Sequence, residues 1–110
     1  MKNKFLRFLL SMLICMVTGT VSAYDAQIDG IYYNFSGTEA IVTWQTYKDW
    51  TYISDYSGEV NIPESVIYNG NTYNVTRIEK YAFKQCANLT SVVIPNSVTA
   101  IGKEAFYGCI

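Results

Sequence analysis

The residues between Val75 and Cys109 say nearly the same thing twice, and a chain that repeats itself at short period has few ways to fold. Two thirteen-residue segments, starting at Asn74 and at Ser97, align at a constant offset of 23. Seven positions are identical: Val75/Val98, Thr76/Thr99, Ile78/Ile101, Lys80/Lys103, Ala82/Ala105, Phe83/Phe106 and Cys86/Cys109. A second echo runs at an offset of 32, where the seven residues from Val60 to Val66 recur from Val92 to Val98 with five identical. The two offsets differ by nine, so the first unit carries a nine-residue insert, residues 67–75, and the second unit is clean. Repetition at this period means a solenoid of stacked coils, because one coil of 23 residues cannot bury enough apolar surface to offset the entropy of ordering its own backbone.

The wording of the unit is specific. Leu89-x-x-Val92-x-Ile94-Pro95, then Ser97-Val98-Thr99-x-Ile101-Gly102, then Glu104-Ala105-Phe106-Tyr107-Gly108-Cys109 resembles the BspA-like leucine-rich repeat family. The resemblance covers residues 60–110, and Asp29-Gly30-Ile31-Tyr32-Tyr33 resembles the segment that precedes such arrays. The first unit departs from the pattern, with Ser57 where the second has Leu89, and reads as a transition from cap to array. The resemblance implies bacterial extracellular or surface-attached proteins that act as adhesins or interaction proteins, with no catalytic residues. The fold class expected is an α/β repeat solenoid, short parallel strands alternating with short helical turns, preceded by an antiparallel β N-terminal cap.

Three spans are expected. Residues 1–23 place Lys2, Lys4 and Arg7 before an apolar run and end in Val21-Ser22-Ala23, the pattern of a secretory signal peptide cleaved after Ala23. The apolar run is too short to cross a bilayer, which needs about 20 residues, so no membrane span is expected in the mature chain. Residues 24–57 form the β-rich cap, and residues 58–110 the leucine-rich repeat units with their hairpin insert at 67–75. The text stops at Cys109-Ile110, in mid-unit, as in a fragment of a longer array. Such an open end exposes an apolar face and a strand edge, which offers a route to self-association.

In the cap, aromatic and β-branched residues without helical period argue strands. Residues 31–35 and 40–44 flank Ser36-Gly37-Thr38-Glu39 and read as an antiparallel hairpin. Trp50 and Tyr52, two apart, are expected on one strand face. Asn69-Gly70 in the insert is a strong hairpin-turn signal, and that hairpin should project from the solenoid. Ile78, Ala82 and Phe83, at i, i+4 and i+5, suggest one face of a two-turn helix, repeated as Ile101, Ala105 and Phe106. Leu89, Val92, Ile94, Val98, Ile101, Ala105, Phe106 and Cys109 should point inward.

The chemistry available is narrow. Histidine is absent, and beyond the leader only Cys86 and Cys109 remain, so Cys/His metal sites and Ser/His or Cys/His nucleophile pairs cannot be built. Carboxylates are scattered singly, and neither a catalytic pair, a metal site nor a cofactor site is expected. Five basic side chains against nine acidic ones leave the mature chain at about −4, which makes nucleic acid a poor partner. The cysteines, one coil apart, could stack within disulfide reach or serve as free, buried thiols; packing alone explains the second state. Asn34, Asn74 and Asn88 sit in glycosylation sequons, which are uninformative if the source is bacterial.

The function expected is therefore non-enzymatic: a secreted or cell-surface recognition or adhesion protein that binds a protein or matrix partner, or a glycan, outside the cell. Its surface would be the open sheet face, with Glu59, Asn61, Thr90, Ser91 and Val93 as partner-binding residues. The alternative is a carbohydrate-binding module that uses exposed Tyr and Trp of the N-terminal region, since ten tyrosines and two tryptophans could supply stacking platforms.

Overall fold

The computed structural model describes residues 24–109, so the expected signal peptide lies outside the described residues. Within them run β1 Ala26–Ile28, β2 Ile31–Ser36, β3 Glu39–Val42, β4 Thr46–Lys48, β5 Thr51–Ile53, β6 Gly58–Asn61, β7 Ser65–Tyr68, β8 Asn71–Ile78, β9 Leu89–Val93 and β10 Ala100–Ile101.

Two parallel pairings build the solenoid, and each carries one of the two sequence offsets. β6 pairs with β9, Val60 opposite Val92 and Asn61 opposite Val93, at the offset of 32. β8 pairs with β10, Arg77 opposite Ala100 and Ile78 opposite Ile101, at the offset of 23. The insert falls between them as the antiparallel hairpin of β7 and the first half of β8, closed by Asn69-Gly70 at φ 51° and 79°. This hairpin begins at Ser65, two residues before the expected insert, and it does not stand free. Tyr68 and Tyr73 both pack on Phe35 of the cap, with ring centroids at 4.9 and 4.3 Å.

The cap joins the solenoid as though it were a coil. β2 and β3 form the antiparallel hairpin that the sequence suggests, and β3 then runs parallel to β8, with Val42 opposite Ile78. The resulting order is β1-β2-β3-β8-β10. The same backbone bond repeats along it: Glu79 N–H donates to the Val42 carbonyl at 2.7 Å, and 23 residues later Gly102 N–H donates to Ile78 at 2.8 Å. Coils approach so closely here that a Cβ on Gly102 would sit 2.3 Å from the Lys80 nitrogen, which only glycine avoids.

The expected helical turns are not formed: among the described residues there is no α-helix. Residues 79–86 are a run of tight turns in which Ala82, Lys84 and Cys86 donate three residues back, to Glu79, Tyr81 and Phe83. The amides between them, Tyr81, Phe83 and Gln85, instead donate to Lys103, Ala105 and Tyr107 of the next coil. Beyond its first turn an α-helix bonds each amide to its own carbonyl four residues back, so it cannot alternate amides between its own coil and a neighbour. Alternation requires backbone reversals, and Tyr81, Gln85 and Glu104 take positive φ of 64°, 57° and 54°. The spacing of Ile78, Ala82 and Phe83 did report burial, since all three are buried, but turns deliver it rather than a helix.

Ring stacking runs through the core. Tyr56 of the cap, Phe83 of the first coil and Phe106 of the second lie in a row, with centroids 4.5 and 5.1 Å apart and the two phenylalanine rings almost parallel. In the first coil the inward set Val60, Ile62, Val66, Ile78, Ala82, Phe83 and Cys86 is buried. In the last described coil only Ala105 of the eight expected inward residues is fully buried, and Ile94 and Ile101 remain 39% and 52% exposed. Their side faces in the stacking direction carry no neighbour among the described residues.

Phe83, fully enclosed between Tyr56 and Phe106, should lose about 3–5 kcal/mol on Phe83→Ala, the usual cost of a buried phenylalanine. Phe106, packed on one side and only half-buried, should lose less. Urea unfolding of the two variants checks the order, and equal losses would mean that Phe106 is covered as fully as Phe83.

Candidate interaction site

The five residues expected to bind a partner come together on the solenoid's β6–β9 pair. Register sets Glu59 beside Ser91 and Asn61 beside Val93, all exposed on one face, while Val60 and Val92 turn to the core side. Thr90 is also exposed, through an irregularity: pairing slips between Gly58 and Glu59, so Thr90 is an extra residue in a bulge and has no opposite number. The Asn61 side-chain amide lies 3.4 Å from the Glu59 carboxylate, which ties the two outer residues of β6 to each other. Val93 at 50% exposure places an apolar group in this otherwise polar row. The arrangement offers hydrogen-bond donors and acceptors and one apolar contact side by side.

A second feature escaped the sequence reading. Trp50 and Tyr52 do not share a strand face, because Asp49-Trp50 is the two-residue turn of the β4–β5 hairpin, with φ of 52° and 65°. The aromatic pair across that hairpin is Tyr47 opposite Tyr52. Among the described residues two other hairpins have both turn residues at positive φ, at Asp29-Gly30 and Asn69-Gly70, and each uses glycine second. Only the third places a bulky residue there, at a strain cost of about 1–3 kcal/mol. Trp50 is also 90% exposed, so its ring gains nothing from burial. The missed signal was the Asp-Trp turn itself, since tryptophan does not mark positive φ.

The base of this hairpin is firmly packed. Trp44 and Tyr47 meet Tyr52 at 4.8 and 4.9 Å, and Tyr52 stacks on Tyr81 at 4.5 Å. The Lys84 ammonium then lies 4.9 Å from the Tyr81 ring and 5.8 Å from Tyr107. Ring faces in this row are spent largely on one another, whereas Trp50 at the tip is not part of it.

The cysteines are free thiols, Cys86 buried and Cys109 half-buried. Cys109 donates to the Phe83 carbonyl of the preceding coil at 2.7 Å, and Cys86 approaches the Ser54 carbonyl of the cap at 3.8 Å. Burial, reinforced by the neighbouring Cys109, pushes the Cys86 thiol up to about 11, so it stays neutral and unreactive at neutral pH. Among the described residues no group of three or more His, Cys, Asp or Glu could hold a metal ion.

Residues 59–110 match the BspA type leucine rich repeat region, a family described as six repeat copies. A crystal structure of a leucine-rich repeat protein from Bacteroides ovatus ATCC 8483 is 30% identical over 78% of this chain, with a TM-score of 0.48. The chain spans 27% of the length of that protein. No curated protein matches.

Trp50→Gly should stabilise the protein. Relief of left-handed strain, about 1–2 kcal/mol, exceeds the about 0.4–1 kcal/mol that glycine's extra freedom in the unfolded chain takes away. A rise of the thermal midpoint checks this; a fall would mean that Trp50 supports the hairpin through packing.

Proposed function

We propose that the protein is a secreted or surface-displayed recognition protein of adhesin type, non-catalytic, which holds a protein or matrix partner against the exposed face of β6–β9. The observation that carries this reading is the side-by-side register of Glu59 with Ser91 and Asn61 with Val93, a polar row with one apolar member, exposed on a base whose opposite side is core. The match of residues 59–110 to a repeat family whose members are generally surface or secreted bacterial proteins supports it. So does the way coils stack, since each further unit would lengthen the same face without altering what lies beneath.

The test is binding to a panel of immobilised extracellular-matrix proteins. Ser91→Arg and Val93→Glu should each weaken the bound member by about tenfold or more, the loss expected of a central interface residue, with an unchanged thermal midpoint. Wild-type binding by both variants would remove the face from the interface.

A carbohydrate-binding reading is favoured by one observation, the strained and exposed Trp50. Stacking of a sugar ring on an exposed indole would give the strain a purpose. Trp44 and Tyr52 are less suited, because they pack on one another. On a glycan array this reading expects a signal that Trp50→Gly abolishes while the hairpin stays folded, and a signal indifferent to Trp50 would dismiss it.

A further inference from the structure

β6 has a free edge. In a parallel pair alternate residues of a strand turn their N–H and C=O groups to the partner, and the residues between turn theirs away. Gly58 and Ile62 N–H donate to Asn88 and Val93 at 2.9 and 3.0 Å, and Val60, opposite Val92, is in phase with them. Glu59 and Asn61 therefore direct their backbone groups to the other side. Among the described residues no strand stands there, since β6 pairs with β9 alone. Beside Glu59 and Asn61 lies an open groove of about 510 Å³, lined by Ser57, Glu59, Val60 and Asn61 together with Gln27 of β1 and Asp29 of the β1–β2 turn.

Exposed strand edges are templates for another strand, and proteins usually blunt them with lysine, proline or a covering element. The groove does the reverse. Its charged lining residues are Asp29, Asp55 and Glu59, all acidic, with no basic residue among them. Asp55 is fixed in place by the Tyr32 hydroxyl, which donates to it at 2.6 Å. This charge repels the same edge of a second copy, where Glu59 would face Glu59, and attracts a cationic strand.

We propose that the groove is a strand-addition site for an extended segment of a partner protein with Lys or Arg at alternating positions. The segment pairs with the backbone of Glu59 and Asn61, and its cations face Asp29, Asp55 and Glu59. β6 spans about 13 Å at strand rise, which suits a pairing segment of about four residues. Backbone bonds supply affinity in such additions and side chains supply the choice of sequence. The inference rests on the recognition reading above and moves part of the grip from the sheet's face to its edge.

A fluorescein-labelled hexapeptide of alternating Val and Lys tests it, with the Val/Glu hexapeptide as control and anisotropy as readout. The Val/Lys peptide should bind at least about tenfold tighter than the control, and more weakly as salt rises. N-methylation of alternate peptide nitrogens should abolish binding in one phase and spare it in the other, because a strand offers only one edge. Asn61→Pro removes a donor that the β6–β9 ladder does not use, so the fold should survive it while peptide binding is lost. Glu59→Lys should shift preference towards the Val/Glu peptide. Absence of binding, equal binding by both N-methylated peptides, or wild-type binding by a folded Asn61→Pro protein would overturn the proposal. Ser91→Arg and Val93→Glu leave this edge untouched and should keep the peptide. Matrix binding that still depends on Ser91 and Val93 in a protein that ignores the peptide would overturn the edge proposal alone, and the converse would overturn the face reading alone.

Discussion

The division of backbone amides in the tight turns is the constraint on which the solenoid depends. Ala82, Lys84 and Cys86 close their own coil, and Tyr81, Phe83 and Gln85 reach the next one. A buried amide without a partner is costly, so a coil with this alternation is complete only against a neighbour. Side chains follow the same rule. The Tyr56–Phe83–Phe106 row gives each ring a stacking partner one coil away, worth about 0.5–1.5 kcal/mol beyond burial for each pair. The Cys109 thiol likewise donates to a carbonyl of the coil before it. Hydrogen bonds, rings and thiol all point along one axis, and that is why residues identical at the offset of 23 are mostly those that touch their own copies.

This explains what was legible in the chain. Repeated residues are repeated because they face a copy of themselves, so the offsets of 23 and 32 reappear as strand registers, Ile78 opposite Ile101 and Val60 opposite Val92. The outer face was legible for the complementary reason: strict alternation puts Glu59, Asn61, Ser91 and Val93 on the side away from Val60 and Val92. Thr90 owes its exposure to a bulge that alternation alone does not contain.

Where the reading failed, a residue had been placed in a conformation its type does not announce. Tyr81, Gln85 and Glu104 adopt positive φ without glycine, so an i, i+4, i+5 pattern that reads as helix is instead a string of turns. Trp50 hides a hairpin turn in the same way. The free edge of β6 was invisible for a different reason, since an edge is defined by what lies beside it. That depends on where the cap puts its β1–β2 turn, and no repeat reports the position.

The entry of β3 into the solenoid bears on the order in which the chain can form. β3 offers β8 a finished parallel partner from within the cap, at a separation of 36 residues between Val42 and Ile78, and β8 offers β10 the next at 23. Each pairing is made to a strand that was synthesised earlier, and none waits for a distant segment still to come. Loop-closure entropy is therefore met in short, similar steps. The parallel pairings from β3 to β8 and from β8 to β10 thus follow the order of the chain, and each spans a similar length of it.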